Sequence, residues 1–200
     1  MESTPPQTSI DVIASALEPV MPTVSRMSSP DGAITLMLSD IVDAEALAAK
    51  LGPERWDGML RDYHLLVERL LAHHGGQVVK FERDGFLASF NSAHAGLHAA
   101  VELQRSFTGT GWQASDGHDI ALRIGLHSGF LITNAEQLLG RNVVLAARIA
   151  GAAGPGRILV SSALKDYTET DPSFEFEPQG EYRFKGLLGD HTVFAVRWEP

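Results

Sequence analysis

The run Ile34-Thr35-Leu36-Met37-Leu38 constrains this chain more than any other stretch. Successive side chains of a strand point to opposite faces, so a continuous apolar run can leave neither face in water. Such a strand belongs inside a covered sheet, and the rest of the chain must supply its neighbours and its cover. Polarity returns at Ser39-Asp40, where the strand should end.

The cover is visible downstream. Pro53 suits a first helical position, and Trp56, Met59, Leu60, Tyr63, Leu66, Val67, Leu70 and Leu71 recur at i, i+3, i+4 and i+7. That spacing predicts a long amphipathic helix, closed by Gly75-Gly76. Residues 77–81 and 86–90 read as strands flanking Asp84-Gly85, a strong hairpin signal. A second helix is predicted over 93–107, a loop over 109–117 and a strand over 120–126. A third helix over 142–152 follows, then Gly154-Pro155-Gly156, a strand over 157–160, and a closing hairpin from 182–184 and 193–196. This order predicts an α+β fold: a ferredoxin-like βαββαβ core with an extra helix, an extra strand and a C-terminal hairpin, the helices lying on one face. Residues 1–32 hold half of the ten prolines and read as a flexible leader in which residues 10–17 offer one short docking helix. Residues 33–200 form the domain.

Several function classes fall away on composition. A net charge of −9 argues against a general nucleic-acid binder, which needs a basic face for phosphates. It leaves room for a nucleotide held by a few placed cations. With no cysteine there is no thiolate metal site or thiolate chemistry. No apolar run reaches membrane-spanning length, and Glu2 opens the chain where a secretory signal would be basic, so a cytoplasmic protein is expected.

The chemistry-bearing feature is a pair of carboxylates, Asp40 at the end of the first strand and Asp84 in the following hairpin. If those strands pair, both emerge at one sheet edge and repel unless a cation lies between them. One or two carboxylates completed by phosphate and water is the set that Mg²⁺ favours. By themselves the two also read as ordinary turn residues. His94 and His98 stand at i, i+4, a spacing that can hold zinc, but no third ligand accompanies them. His73-His74 reads as charge at a helix C-terminus.

Five strings in order alter that balance. "LMLSDIVDAEALAAKLG", "HGGQVVKFERDGFLASF", "IALRIGLHSG", "GRNVVLAARIAGAAGPGRILVS" and "GEYRFKGLLGDHTVFAV" together resemble the catalytic domain of class III adenylyl and guanylyl cyclases, bacterial type, over residues 34–198. The resemblance implies a head-to-tail homodimer with sites at its interface. One protomer would hold two Mg²⁺ or Mn²⁺ ions through Asp40, Asp84 and the Ile41 carbonyl. The other would supply Lys80 and Gln137 to the purine, Lys185 to the triphosphate and Arg148 to the transition state. The implied reaction turns ATP, the favoured nucleoside triphosphate, into 3′,5′-cyclic AMP and pyrophosphate. Gln137 stands where adenylyl cyclases usually have Asp, and Gln can serve adenine or guanine. Val144 stands where the family carries a ribose-orienting Asn, and Asn142, about 200° away around a helix, cannot take its place. Val144 implies a reduced rate. It also motivates the alternative of a degenerate homologue that acts as a nucleotide-binding regulatory module or as a heterodimer subunit.

Overall fold

The computed structural model describes residues 8–15, 32–108, 120–130 and 135–198. Most of the leader and the 109–117 loop therefore lie outside the described residues. Helix α1 (Ser9–Ser15) precedes strand β1 (Ala33–Ile41), helices α2 (Ala44–Leu51) and α3 (Pro53–His73), and the hairpin β2 (Gln77–Glu82) and β3 (Gly85–Phe90). Then come α4 (Ala93–Phe107), β4 (Leu122–Phe130), α5 (Ala135–Ala152), β5 (Ile158–Ser161), α6 (Ser162–Thr168), β6 (Glu175–Tyr182) and β7 (His191–Arg197).

The seven strands form one sheet in the order β2-β3-β1-β4-β5-β7-β6. Its first four strands have the ferredoxin-like arrangement, with β1 antiparallel to both β3 and β4. β5 adds parallel to β4, and β7 and β6 complete the sheet as an antiparallel hairpin. The apolar run lies where it must, in the interior strand β1, buried from Ile34 to Ile41.

The sheet is covered on both faces, and here the sequence expectation of helices on one face is corrected. Met37, Phe86, Ala88, Ile124 and Leu126 pack with Tyr63, Val67 and Leu71 of α3 and Leu97 and Leu103 of α4. Alternate residues Ile34, Leu36, Leu38 and Leu87 face the other way, against Ile10 and Ile13 of α1 and Val143, Ala146, Ala147 and Ala150 of α5. A strand apolar on both faces demands this second layer. Seven residues are too few for a helix to persist alone in water, so α1 depends on this docking. Ile10 and Ile13 are 2% and 0% exposed, a burial that contributes about 1.5–3 kcal/mol per side chain before ordering costs.

Helix α5 lies unusually near β4. A Cβ on Gly125 would stand 2.2 Å from the Ala150 backbone nitrogen and 2.5 Å from its Cα. Backbone cannot yield as a side-chain tip can, so Gly125→Ala should push α5 off the sheet. We expect a loss of about 3 kcal/mol, read as a lower denaturant midpoint with an unchanged m-value.

Other boundaries differ from those predicted. α5 begins at Ala135, not 142, because the good helix formers before Gly140 carry the helix through it. β6 covers Glu175–Tyr182 and leaves out Phe184. It accommodates Pro178 and Gly180 because β6 is one of the sheet's two edge strands and its register is irregular between those two residues. In the hairpin, Glu82 pairs with Gly85, so Arg83 and Asp84 make the turn and Arg83 takes the positive φ of 52°. Gly85 belongs to the strand, where a Cβ would meet Ser9 Cβ at 2.9 Å and the Ser39 carbonyl at 3.0 Å.

Candidate functional site

Pairing of β1 with both β3 and β4 sets Asp40 opposite Gly85 on one side and Arg123 on the other. Residues directly opposite across a sheet share a face. Asp40 is 1% exposed, and Arg123 grips it with two parallel bonds, Nε to Oδ1 at 2.5 Å and Nη2 to Oδ2 at 2.7 Å. Burial raises the Asp40 pKa above the usual carboxylate range, and the hydrogen bonds and charge of Arg123 pull it part of the way back. Arg123 was missed in the sequence reading. Its signal was a charged residue in an otherwise apolar stretch, legible only once β4 is known to lie beside β1.

Asp84 reaches the same place from the hairpin turn. Its carbonyl accepts from the Ile41 amide at 3.3 Å, tying the turn to the end of β1. Its carboxylate accepts the Ser9 hydroxyl at 2.6 Å. Asp40, Ile41, Asp84, Arg123, Ser9 and Arg83 line one cleft of about 610 Å³. Two carboxylates and a main-chain carbonyl are hard oxygen donors. Among the described residues no group of three or more His, Cys, Asp or Glu forms a full cage, so a cation here would complete its shell from phosphate and water. The donor set fits Mg²⁺ or Mn²⁺.

The remaining sequence-selected residues lie elsewhere. Lys80 on β2 pairs with Glu82 at 3.1 Å. Arg148 on α5 is about one-third exposed, pairs with Asp11 at 3.2 Å, and donates from Nε to the Lys185 carbonyl at 3.4 Å. Lys185 is exposed in the β6–β7 connection. None of these three lines the carboxylate cleft. Gln137 falls in α5, its side chain outside the described part of the structure. Val144 is half-buried, while Asn142 faces β4 and meets His127 Nε2 at 3.2 Å. Away from the site, His98 lies 3.7 Å from Asp171 and His74 2.6 Å from Glu102.

His127 itself is buried between Asn142 and Ser161, whose hydroxyl is 2.8 Å from Nδ1. Burial drives its pKa down to about 4, against a smaller upward pull from Asn142. The ring is therefore neutral in the folded chain and refuses a proton that the unfolded chain accepts near pH 6.5. Stability is full above that pH and falls on acidification toward pH 4, by about 3 kcal/mol from this residue. Asp40, with its raised pKa, works in the opposite direction. Denaturation of the wild type and of His127→Gln across pH 4–7 isolates the histidine: the variant should lose most of the acid slope.

Residues 27–197 match the family described as the adenylate and guanylate cyclase catalytic domain, and the chain belongs to that family. A Rhizobium meliloti (strain 1021) protein provisionally named adenylate cyclase 3 is 28% identical over 135 residues, covering 68% of this chain and 23% of that protein. The pH-sensitive adenylate cyclase of Mycobacterium tuberculosis (strain CDC 1551 / Oshkosh) is 36% identical over 87 residues, covering 42% of this chain and 22% of the relative. The chain thus spans under a quarter of the length of these two curated relatives. Among solved structures, the guanylate cyclase domain of a Catenaria anguillulae protein in complex with GTP superposes with a TM-score of 0.71 at 19% identity, covering 84% of this chain and 97% of that one. The adenylyl cyclase CyaB from P. aeruginosa gives 0.69 at 19% identity, covering 82% and 93%. These likenesses show the fold. Among the described residues no helix is long and apolar enough to cross a membrane.

Proposed function

We propose that residues 33–200 form a cytoplasmic nucleotide cyclase unit that converts ATP to 3′,5′-cyclic AMP and pyrophosphate across a homodimer interface, at a rate lowered by Val144. The observation that carries this reading is the separation of its parts. Asp40 and Asp84 share one cleft, while Arg148 and Lys185 meet each other outside it. A site that needs both sets is completed when two chains meet, each lending one set to the other's cleft.

A divalent cation held by Asp40, Asp84 and the Ile41 carbonyl would supply Lewis acidity for the ribose 3′-hydroxyl and the phosphates. In the reaction the 3′-oxygen bonds to the α-phosphorus, the bond from that phosphorus to the bridging oxygen breaks, and the hydroxyl proton passes to solvent. Arg123 holds the Asp40 carboxylate in place at the cleft through two hydrogen bonds and offsets part of the burial that raises its pKa. Arg148 from the second chain neutralises charge growing on the departing pyrophosphate. Lys80, which can only donate, meets an acceptor on the base, and Gln137 serves either purine. Names of relatives favour ATP, and the purine contacts make that preference modest. Lys80→Glu should shift the ratio of cyclic AMP to cyclic GMP toward cyclic GMP by about tenfold. The check is a competition between equimolar ATP and GTP with Mn²⁺, read by mass spectrometry; an unchanged ratio removes Lys80 from the base.

Val144 supports a second reading, a homologue that binds nucleotide without turning it over and acts through a partner. A wild type that binds ATP but forms no cyclic product, alone or with Val144→Asn, would favour it.

A further inference from the structure

Helix α1 occupies the face on which the proposed chemistry depends, and its contacts there go beyond apolar cover. Ser9 is 5% exposed and donates its hydroxyl to Asp84, the carboxylate offered to a cation. Two residues on, Asp11 offers a carboxylate oxygen to Arg148, the guanidinium offered to phosphate. Between them Ile10 buries itself against β1, β3 and α5, and Ile13 does so one turn later. Thr8 and Ser9 form part of the wall of the carboxylate cleft.

A hydroxyl on the acid and an anion on the arginine are the two kinds of group that a nucleotide brings, as ribose hydroxyl and phosphate. An anionic side chain and a phosphate cannot share one guanidinium fork at full strength. Likewise, a carboxylate lone pair given to a hydroxyl is withheld from a cation. We infer that α1 is an internal strap that competes with triphosphate: while Ser9 and Asp11 are seated, they engage one carboxylate oxygen of Asp84 and one guanidinium nitrogen of Arg148 in the same chain, and ligand binds best to the fraction of molecules in which α1 has lifted. This rests on the cyclase reading of those residues.

Apparent affinity is the intrinsic affinity multiplied by the open fraction, so weakening the strap must tighten binding. By the same linkage, bound triphosphate must loosen the strap. The test uses the 200-residue chain, Mn²⁺ and an ATP analogue with a methylene group between the α- and β-phosphates, which prevents turnover. Hydrogen exchange of residues 9–15 reports α1, and calorimetry reports binding. We expect saturating analogue to speed exchange of α1 amides by about tenfold or more. Ser9→Ala/Asp11→Asn, which keeps both isoleucines and hence the apolar cover, should tighten the analogue by about tenfold. Ile10→Asp/Ile13→Asp should release α1 altogether, and binding seen in that variant alone also supports a strap that is tightly closed in the wild type. If the analogue binds the wild type and α1 exchange is unchanged or slower, the strap is overturned and α1 is structural cover, with the cyclase reading intact. If the analogue binds none of the three proteins while exchange shows α1 released in the last, the nucleotide reading of the site fails and takes the strap with it.

Discussion

Asp84→Ala is expected to reduce cyclic-nucleotide formation by about a thousandfold or more while leaving the fold in place. Loss of a catalytic cation site costs several kcal/mol of transition-state stabilisation, and about 4 kcal/mol is a thousandfold in rate. The substitution is clean because Asp84 stands in a turn whose tie to β1 runs through its backbone carbonyl, which alanine retains. Asp40→Ala should be as inactive but less stable. It leaves the Arg123 guanidinium, only 21% exposed, without its carboxylate, at a cost of about 2–3 kcal/mol. The measurement is turnover with ATP and Mn²⁺ beside a urea melt of each variant. Near-wild-type turnover in either would remove that aspartate from the metal site.

Val144→Asn carries the second large effect, with the opposite sign. Valine can make no hydrogen bond, so under the proposed function an interaction that orients the ribose is missing at each site. One such donor is worth roughly 10²–10³ in rate, and restoring it should raise kcat by up to that factor. An interaction made mainly in the transition state changes kcat with little change in KM. Val144 is half-buried on α5, one turn before Arg148, so the asparagine amide would emerge beside the arginine. Asn142 does not already supply this contact, because it is turned into β4 toward His127. Steady-state kinetics of the two proteins decide the matter: unchanged kcat would mean that position 144 is not near the ribose.

The ferredoxin-like core was readable because its elements carry strong periods: the doubly buried run of β1, the 3.6-residue stripe of α3 and the short strands of the hairpin. What escaped depended on tertiary context. The first part of β6 escaped because Pro178 fits a strand only at an edge or a bulge, and which strand is an edge is a property of the sheet. α6 has seven residues and a Ser161 cap at the end of a strand, too short for a periodic signal. The second layer of helices was implied by β1 but not drawn from it. At the candidate site, motif and strand position singled out Asp40 and Asp84, which the sheet brings to one cleft. Arg123, Ser9 and Asp11 were not singled out, since their partners lie 83, 75 and 137 residues away in the chain and no local pattern encodes such pairs.

The central claim is that the carboxylates of one chain work with the arginine of another. It can be tested by mixing two inactive proteins, Asp84→Ala and Arg148→Ala, after separate purification. In a two-fold dimer each site takes Asp84 from one chain and Arg148 from the other, so a mixed dimer holds one site with both lesions and one intact site. Random exchange at equal concentrations makes half of the dimers mixed, and the mixture should recover about a quarter of wild-type cyclic AMP formation from two components that each show almost none. A mixture that stays as inactive as its components, beside a wild type that turns over, would contradict the shared site.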